Sequence, residues 1–256
     1  MRPIFSRENG TRRICRSSRF TDSNSGFMTD WLATAIVITT FLPSTLLIAK
    51  KSRAANPGET GNQAAAVDST EFKSLFDGET LRGWEGDKKW FTVRDKTIVA
   101  GSATEAIPHN YFLCSEKTYR DFELIVEAKL VGKGDNAGVQ FRTKRIPNDT
   151  EVIGYQADIG FFANGTCWGA LYDESRRRKF LAEDQEKAQK AVKRGQWNEL
   201  RIVAKGDHIQ IFLNGVQTVD YTEQDPEIEK DGVIALQVHA GPQLEAIYRN
   251  VRIREL

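Results

Sequence analysis

The chain has 256 residues, 40% of them hydrophobic, and a net charge of +1 at pH 7. That length allows one large domain or two small ones of ordinary globular composition. Residues 1–53 contain nine basic and three acidic residues, a net charge of +6, whereas the remainder has 27 basic and 32 acidic residues, a net charge of −5. The mildly acidic remainder has no basic stripe, which argues against a nucleic-acid partner.

The first recognisable element is an uncharged apolar run over residues 31–49, which ends at Lys50 and Lys51. Its length is close to the roughly 20 residues that a membrane-spanning helix needs. Small residues follow it in the pattern of a cleavage site. The run therefore predicts either a signal peptide or an uncleaved membrane anchor.

We accordingly divide the chain into a targeting segment (1–53), a linker (54–70) and a folded domain (71–256). The linker is small and polar without periodicity. Translation could begin at Met1 or at Met28. The protein is predicted to be exported, either to the periplasm or cell envelope or as a secreted protein, or to stay anchored in a membrane through 31–49.

The folded domain is dominated by strand patterns. Apolar and polar residues alternate in FELIVEAKL (122–130), and ELRIVAKGDHIQIFLNG (199–215) has a turn at Gly206 between two alternating runs. These patterns predict an all-β protein, an antiparallel β-sandwich. The segment 182–195 is rich in helix formers and ends in Gly195, so we expect a short helix or a turn there.

Three apolar segments each contain two polar residues two positions apart. Residues i and i+2 of a strand share a face. Three such pairs predict a polar groove on one face of a sheet, which is typical of a carbohydrate site. The pairs are Gln140 with Arg142, Gln156 with Asp158, and Gln237 with His239.

Eight motifs follow one another along the folded domain: FKSLFDGETLRGW (72–84), KTYRDFELIVEAKL (117–130), GDNAGVQFRTK (134–144), GYQADIG (154–160), WGALYDESRRR (168–178), GQWNELRIVAKGDHIQIFLNGV (195–216), GVIALQVHAG (232–241) and YRNVRIREL (248–256). In sequence and order they resemble the 3-keto-disaccharide hydrolase family over residues 71–256. The resemblance implies a jelly roll of the concanavalin A type, with sugar bound in the concave groove of one sheet. It also implies cleavage of 3-keto-glycosides, by hydrolysis or by elimination followed by hydration.

Two positions depart from the pattern of characterised members. They often have an acidic residue before the glutamine of the GYQADIG region, where this chain has Gly154 and Tyr155. Many have an aspartate before the histidine near the end, where this chain has Val238. A metal site that used that aspartate is therefore not implied here.

Cleavage of a 3-keto sugar by elimination needs a base near C2, a donor for the C3 oxyanion and an acid at the leaving oxygen. The candidate bases and acids are Asp158, His239 and Glu174. The candidate donors are Gln140, Arg142 and Gln156, and a bound divalent cation could replace some of them. The chain contains no nucleotide, phosphate or metal-binding motif, so no cofactor is predicted with certainty.

Further substrate-binding candidates are Gln237 and the segment WGALYDESRRR. Trp168 and Tyr172 precede its charged run, and aromatic faces stack on sugar rings. Arg176 completes this candidate set, together with Glu174.

Structural roles compete with these assignments. Asp158 could be neutralised by an arginine within the sandwich. His239 could be a structural histidine bonded to a turn near Gly241, and the charged run could be solvated. Cys114 and Cys167 could form a disulfide or remain two buried thiols.

Three functions are consistent with the sequence. The first is an exported enzyme acting on 3-keto-glycosides. The second is a lectin-like module that binds carbohydrate without cleaving it. The third is an anchored structural or interaction domain.

Overall fold

The computed structural model describes residues 71–256. The predicted targeting segment and linker lie outside the described residues. No helix within the described part is long and apolar enough to cross a bilayer.

Residues 71–256 form sixteen strands and one helix. In chain order they are β1 (Lys73–Ser74), β2 (Trp84–Glu85), β3 (Phe91–Arg94), β4 (Thr97–Ser102), β5 (Tyr111–Tyr119), β6 (Phe122–Gly132), β7 (Asn136–Arg145), β8 (Val152–Phe162), β9 (Gly165–Thr166), β10 (Leu171–Glu174), β11 (Phe180–Ala182), α1 (Gln185–Ala191), β12 (Asn198–Lys205), β13 (His208–Leu213), β14 (Val216–Thr222), β15 (Gly232–Val238) and β16 (Leu244–Glu255).

The strands form two antiparallel sheets of eight strands each. One sheet, here called the back sheet, has the order β14-β13-β12-β6-β16-β4-β3, with β1 paired to β16. The other, here called the groove sheet, has the order β11-β10-β8-β7-β15-β5-β2, with β9 paired to β8. The predicted antiparallel β-sandwich is confirmed.

Alternation along each strand places the core between the sheets. In β6, Phe122, Leu124 and Val126 are fully buried and face the groove sheet. Their partners across the register come from β12, for example Leu200 opposite Val126. Each such side chain contributes roughly 1.5–3 kcal/mol of burial free energy, so the inward faces hold the two sheets together.

The predicted hairpin and the predicted short helix are both present. β12 and β13 pair across the turn at Gly206, which has a φ of +55° and so suits glycine. In α1, the Asp184 carboxylate caps the helix by accepting from Lys187 N at 3.0 Å. The helix ends before Gly195.

A β-bulge redirects the β7–β8 hairpin. Pairing between the two strands shifts between Phe141 and Lys144, and Arg142 has a φ of +49°. An extra residue in one strand bends the chain locally. We call the segment beyond the bulge, residues 144–153, the flap.

The flap lies over the outward face of the groove sheet. Val152, which is fully buried, packs in one cluster with Phe112, Cys114 and Ala235, all on the outward faces of β5 and β15. Arg145 donates from Nη2 to the carbonyl oxygen of Glu85 at 2.6 Å. Because β15 and β5 separate β7 from β2 in the sheet order, this contact requires the flap to cross both strands.

Candidate functional site

The outward face of the groove sheet carries the polar residues that the sequence singled out. Along β8, Tyr155, Ala157 and Ile159 belong to the core, so Gln156 and Asp158 face outward. Register places further residues beside them in two rows across the sheet. One row is Phe112, Gln237, Gly138 and Asp158, and the other is Cys114, Ala235, Gln140, Gln156, Tyr172 and Phe180.

A chain of hydrogen bonds ends at Asp158. Thr143 Oγ1 donates to Gln140 Oε1 at 2.9 Å, and Gln140 Nε2 donates to Gln156 Oε1 at 2.8 Å. Gln156 Nε2 then donates to Asp158 Oδ1 at 2.9 Å. A Cβ at Gly138 would lie 2.2 Å from Cδ of Gln156, so this glycine makes room for the amide. The chain of amides thereby orients the carboxyl group.

Burial sets the proton affinity of Asp158. The side chain is almost completely buried, and this burial raises its pKa to about 7. Within the described residues its partners are the amide of Gln156, the thiol of Cys167 and the backbone N–H of Ile159, and not an arginine. The alternative of an Asp158–arginine pair is therefore not found, and the carboxyl group can exchange a proton near neutral pH.

Glu174 provides a second carboxyl group with a similar proton affinity. It lies on β10 and pairs with Gly154 of the neighbouring strand β8. Gly154 precedes Asp158 by four residues on that strand. Burial, and then the charge of Glu151, raise the pKa of Glu174 to about 7, while Arg178 acts in the opposite direction. The charge of Glu174 contributes in turn to the raised pKa of Asp158.

Glu151 and Asn110 form the opposite wall of the groove. Asn110 Nδ2 donates to Glu151 Oε1 at 3.0 Å, and Asn110 Oδ1 accepts from Ala240 N at 2.9 Å. Burial raises the pKa of Glu151, although the bond from Asn110 opposes this. The flap thus places a third carboxyl group close enough to Glu174 to shift its pKa.

His239 lies beside this wall. Its Nδ1 is 2.7 Å from the carbonyl oxygen of Ala240, which requires Nδ1 to donate. The neutral ring then carries its lone pair on Nε2, as a general base needs. The backbone contact also fits the structural alternative, so both roles remain consistent with the geometry.

No local sequence signal marks Glu151, Asn110 or Arg178 as residues of the site. Glu151 lies in a polar turn segment (145–151), and such segments are usually solvated loops. Only the bulge, which folds the flap over the sheet, brings this residue to the site. No local pattern in the sequence announces that contact.

Arg142 does not lie in the groove, so the prediction that it shares a face with Gln140 is wrong. Its guanidinium donates to the carbonyl oxygens of Arg120 and Gly206, both at 2.8 Å, and to Asp121 at 3.0 Å. Arg120 and Asp121 lie in the turn from β5 of the groove sheet to β6 of the back sheet, and Gly206 lies in the β12–β13 turn of the back sheet. The bulge turns the side chain inward, where it joins the two sheets.

Arg176 is also placed elsewhere than predicted. It pairs with Asp173 at 2.7 Å, and its guanidinium lies 4.7 Å from the ring centre of Tyr155. Asp173 is opposite Tyr155 in the register and is fully buried, so this pair lies on the inward side of the sheet. Arg177 joins the same network through Asp173 and Glu223.

Trp168 belongs to the core and offers no ring face to the groove. It is 1% exposed and packs within the main hydrophobic cluster. The expectation that it stacks on a sugar is therefore wrong. Tyr172, in contrast, is half-buried and lies opposite Gln156 on the groove face.

Gln237 lies on the groove face in the row of Asp158. It is fully buried, and neither its Oε1 nor its Nε2 has a hydrogen-bond partner. A buried amide without partners costs free energy, which a bound polar ligand would recover.

Two cysteines lie near the same face. Cys114 and Cys167 are buried free thiols, as one of the two alternatives predicted. Within residues 71–256, no group of three or more His, Cys, Asp or Glu side chains is arranged to hold a metal ion.

Several solved structures share this β-sandwich fold. A candidate glycosyl hydrolase from Parabacteroides distasonis is 21% identical, with a TM-score of 0.54, and the match covers 73% of this chain and all of that one. The carbohydrate-binding module CBM66 from Bacillus subtilis is 16% identical, with a TM-score of 0.53, covering 68% and 96%. A Bacillus subtilis protein with a galectin-like fold is 9% identical, with a TM-score of 0.54, covering 73% and 95%. At these identities the likeness shows the fold alone.

Comparison with curated proteins gives no match. Residues 71–254 match the family described as the 3-keto-alpha-glucoside-1,2-lyase-like domain. This range includes both sheets and every residue of the groove described above. The chain therefore belongs to the 3-keto-alpha-glucoside-1,2-lyase-like family.

Proposed function

We propose that the protein is an enzyme that cleaves the glycosidic bond of 3-keto-glycosides in the groove between the flap and β10. The observation that carries this proposal is the pair of carboxyl groups, Asp158 and Glu174, each with a pKa of about 7. At neutral pH such a pair is populated with one group ionised and the other protonated. General acid–base catalysis requires that combination.

In the proposed reaction, the Asp158 carboxylate removes the proton from C2 of the keto-sugar. The C2–H electrons form an enolate with negative charge on the C3 oxygen. The enolate then collapses to the C1=C2 double bond and the C3 ketone as the C1–O bond breaks, and Glu174 gives its proton to the leaving oxygen. Addition of water to the resulting enone completes the net hydrolysis. The amide chain from Gln140 through Gln156 holds Asp158 in place for the first step.

Gln237 is the proposed donor to the C3 oxygen, where negative charge develops. Of the amides first considered, those of Gln140 and Gln156 are already committed to the chain that ends at Asp158. Arg142 bonds to the β5–β6 and β12–β13 turns. Gln237 Nε2 is the groove amide without a partner among the described residues.

The alternative is a module that binds carbohydrate without cleaving it. The half-buried Tyr172 on the groove face favours this alternative, because an aromatic ring beside polar groups suits sugar binding without any chemistry. The two functions differ in whether bound 3-keto-glycoside is turned over.

The decisive experiment is turnover of a chromogenic 3-keto-glucoside compared with its unoxidised parent, with and without a divalent metal salt. We expect release from the keto-sugar alone, lost in Asp158→Asn and Glu174→Gln and retained in the control Asp231→Asn, whose side chain is exposed. Binding of both sugars without release from either would favour the module.

We also propose that the protein acts outside the cytoplasm. The support is the basic segment 1–53 with its apolar run at 31–49. Amino-terminal sequencing of the protein from its native cells distinguishes cleavage at the small residues 52–54 from retention of an anchor. Recovery of the complete amino terminus in the cytosolic fraction would contradict export.

A further inference from the structure

Three aromatic side chains lie next to one another along the β10 side of the groove. The ring centres of Tyr172 and Phe180 are 5.2 Å apart with planes at 68°, and those of Phe180 and Phe162 are 6.3 Å apart with planes at 78°. Tyr172 and Phe180 are register partners, and Phe162 has the outward parity of Gln156 and Asp158 along β8. All three therefore lie on the groove face, with Tyr172 level with Gln156 and Phe162 four residues beyond Asp158 along β8.

Phe162 is an unusual surface residue, because 47% of it is exposed to solvent. Exposed aromatic rings next to a polar site are characteristic of binding surfaces. Phe162 is also continuous with Tyr172, through Phe180, and so with the proposed catalytic groups.

Two amide side chains approach the same place. A Cβ on Gly165 would lie 3.1 Å from Gln185 Oε1, 3.4 Å from Gln189 Nε2 and 3.9 Å from Cδ2 of Phe162. Gln185 Nε2 donates to Glu183, which leaves its Oε1 on the side of Gly165. An acceptor oxygen and a donor amide thus lie beside the exposed ring.

We propose that Phe162 and Phe180, with Gln185 and Gln189, form a second sugar subsite that binds the leaving-group sugar of a disaccharide substrate. A pyranose ring has an apolar face of C–H groups, which packs on aromatic rings, and hydroxyl groups at its edge, which bond to amides. This inference rests on the proposed function, since it assigns the part of the substrate beyond the bond to be cleaved.

The test compares two 3-keto-glucosides, one with a glucose leaving group and one with a methyl leaving group. In Phe162→Ala, kcat/KM for the disaccharide should fall by about three- to tenfold, the range expected for loss of one aromatic contact, with the methyl glycoside unaffected. The matched control is Val131→Ala, which removes a side chain that is 44% exposed on the back sheet. It should change neither value.

Phe180→Ala tests the same subsite at its half-buried aromatic residue. Thermal unfolding of each variant identifies any that fails to fold. Equal losses on both substrates, or no loss on either, would overturn the subsite. So would wild-type self-association that Phe162→Ala abolishes in sedimentation, because the ring would then be a contact between copies.

The subsite and the proposed function can fail separately. If wild-type protein cleaves neither substrate, the proposed function fails, and calorimetric titration with the 3-keto-disaccharide still tests the subsite. Weaker binding by Phe162→Ala, with unchanged binding of the methyl glycoside, would support it. Binding of neither sugar by the wild type would overturn both.

Discussion

Replacing Asp158 by asparagine should stabilise the protein at neutral pH while abolishing turnover. The substitution keeps the shape of the side chain and the oxygen that accepts from Gln156 Nε2. It removes the cost of ionising a buried carboxyl group. The raised pKa of about 7 corresponds to about 4 kcal/mol at full ionisation, an upper limit that internal relaxation will reduce.

The size of the effect depends on pH. Below about pH 4, the carboxyl group is protonated in both the folded and unfolded states, so it costs nothing. Between about pH 4 and 7, the unfolded state releases the proton while the folded state retains it, so wild-type stability falls as pH rises. Above about pH 7 the full penalty is present, and Asp158→Asn removes it.

The assay is urea unfolding of wild type and Asp158→Asn at pH 4, 6 and 8, with Asp231→Asn as the control for loss of an exposed charge. The free energy of unfolding of Asp158→Asn should exceed that of wild type by about 2–4 kcal/mol at pH 8 and by little at pH 4. A variant that is less stable than wild type by the same amount at every pH would refute the reasoning.

Three further predictions concern the rest of the site and its support. Because the activity needs one ionised and one protonated carboxyl group, kcat/KM should be bell-shaped with a maximum near pH 7; a flat profile from pH 5 to 9 would contradict the pair. Arg145→Ala removes the contact of the flap with Glu85, so limited proteolysis within 144–153 should be faster, with Lys96→Ala as an exposed control; unchanged cleavage would show that this contact does not hold the flap. Asp173→Asn removes the buried anion that Arg176 and Arg177 share and should lower the free energy of unfolding by about 3 kcal/mol in urea, with unchanged KM; an altered KM alone would place Asp173 in the site.

The sequence by itself determined the fold class and the outward row of β8. Alternation with a period of two is a local property of the chain, so it specifies which residues of a strand share a face. Gln156 and Asp158 lie together on the groove face for this reason. The hairpin around Gly206 and the helix before Gly195 were predictable from equally local signals.

Pairing in three dimensions decided the rest of the site. The bulge at Arg142 removed that residue from the groove. One extra residue in a strand moves the side chains that follow it to the opposite face of the sheet. The same bulge folded the flap over the sheet and brought Glu151 towards Glu174. Burial of the carboxyl groups, and hence their pKa values near 7, depends on these contacts between distant segments, which no window of the sequence contains.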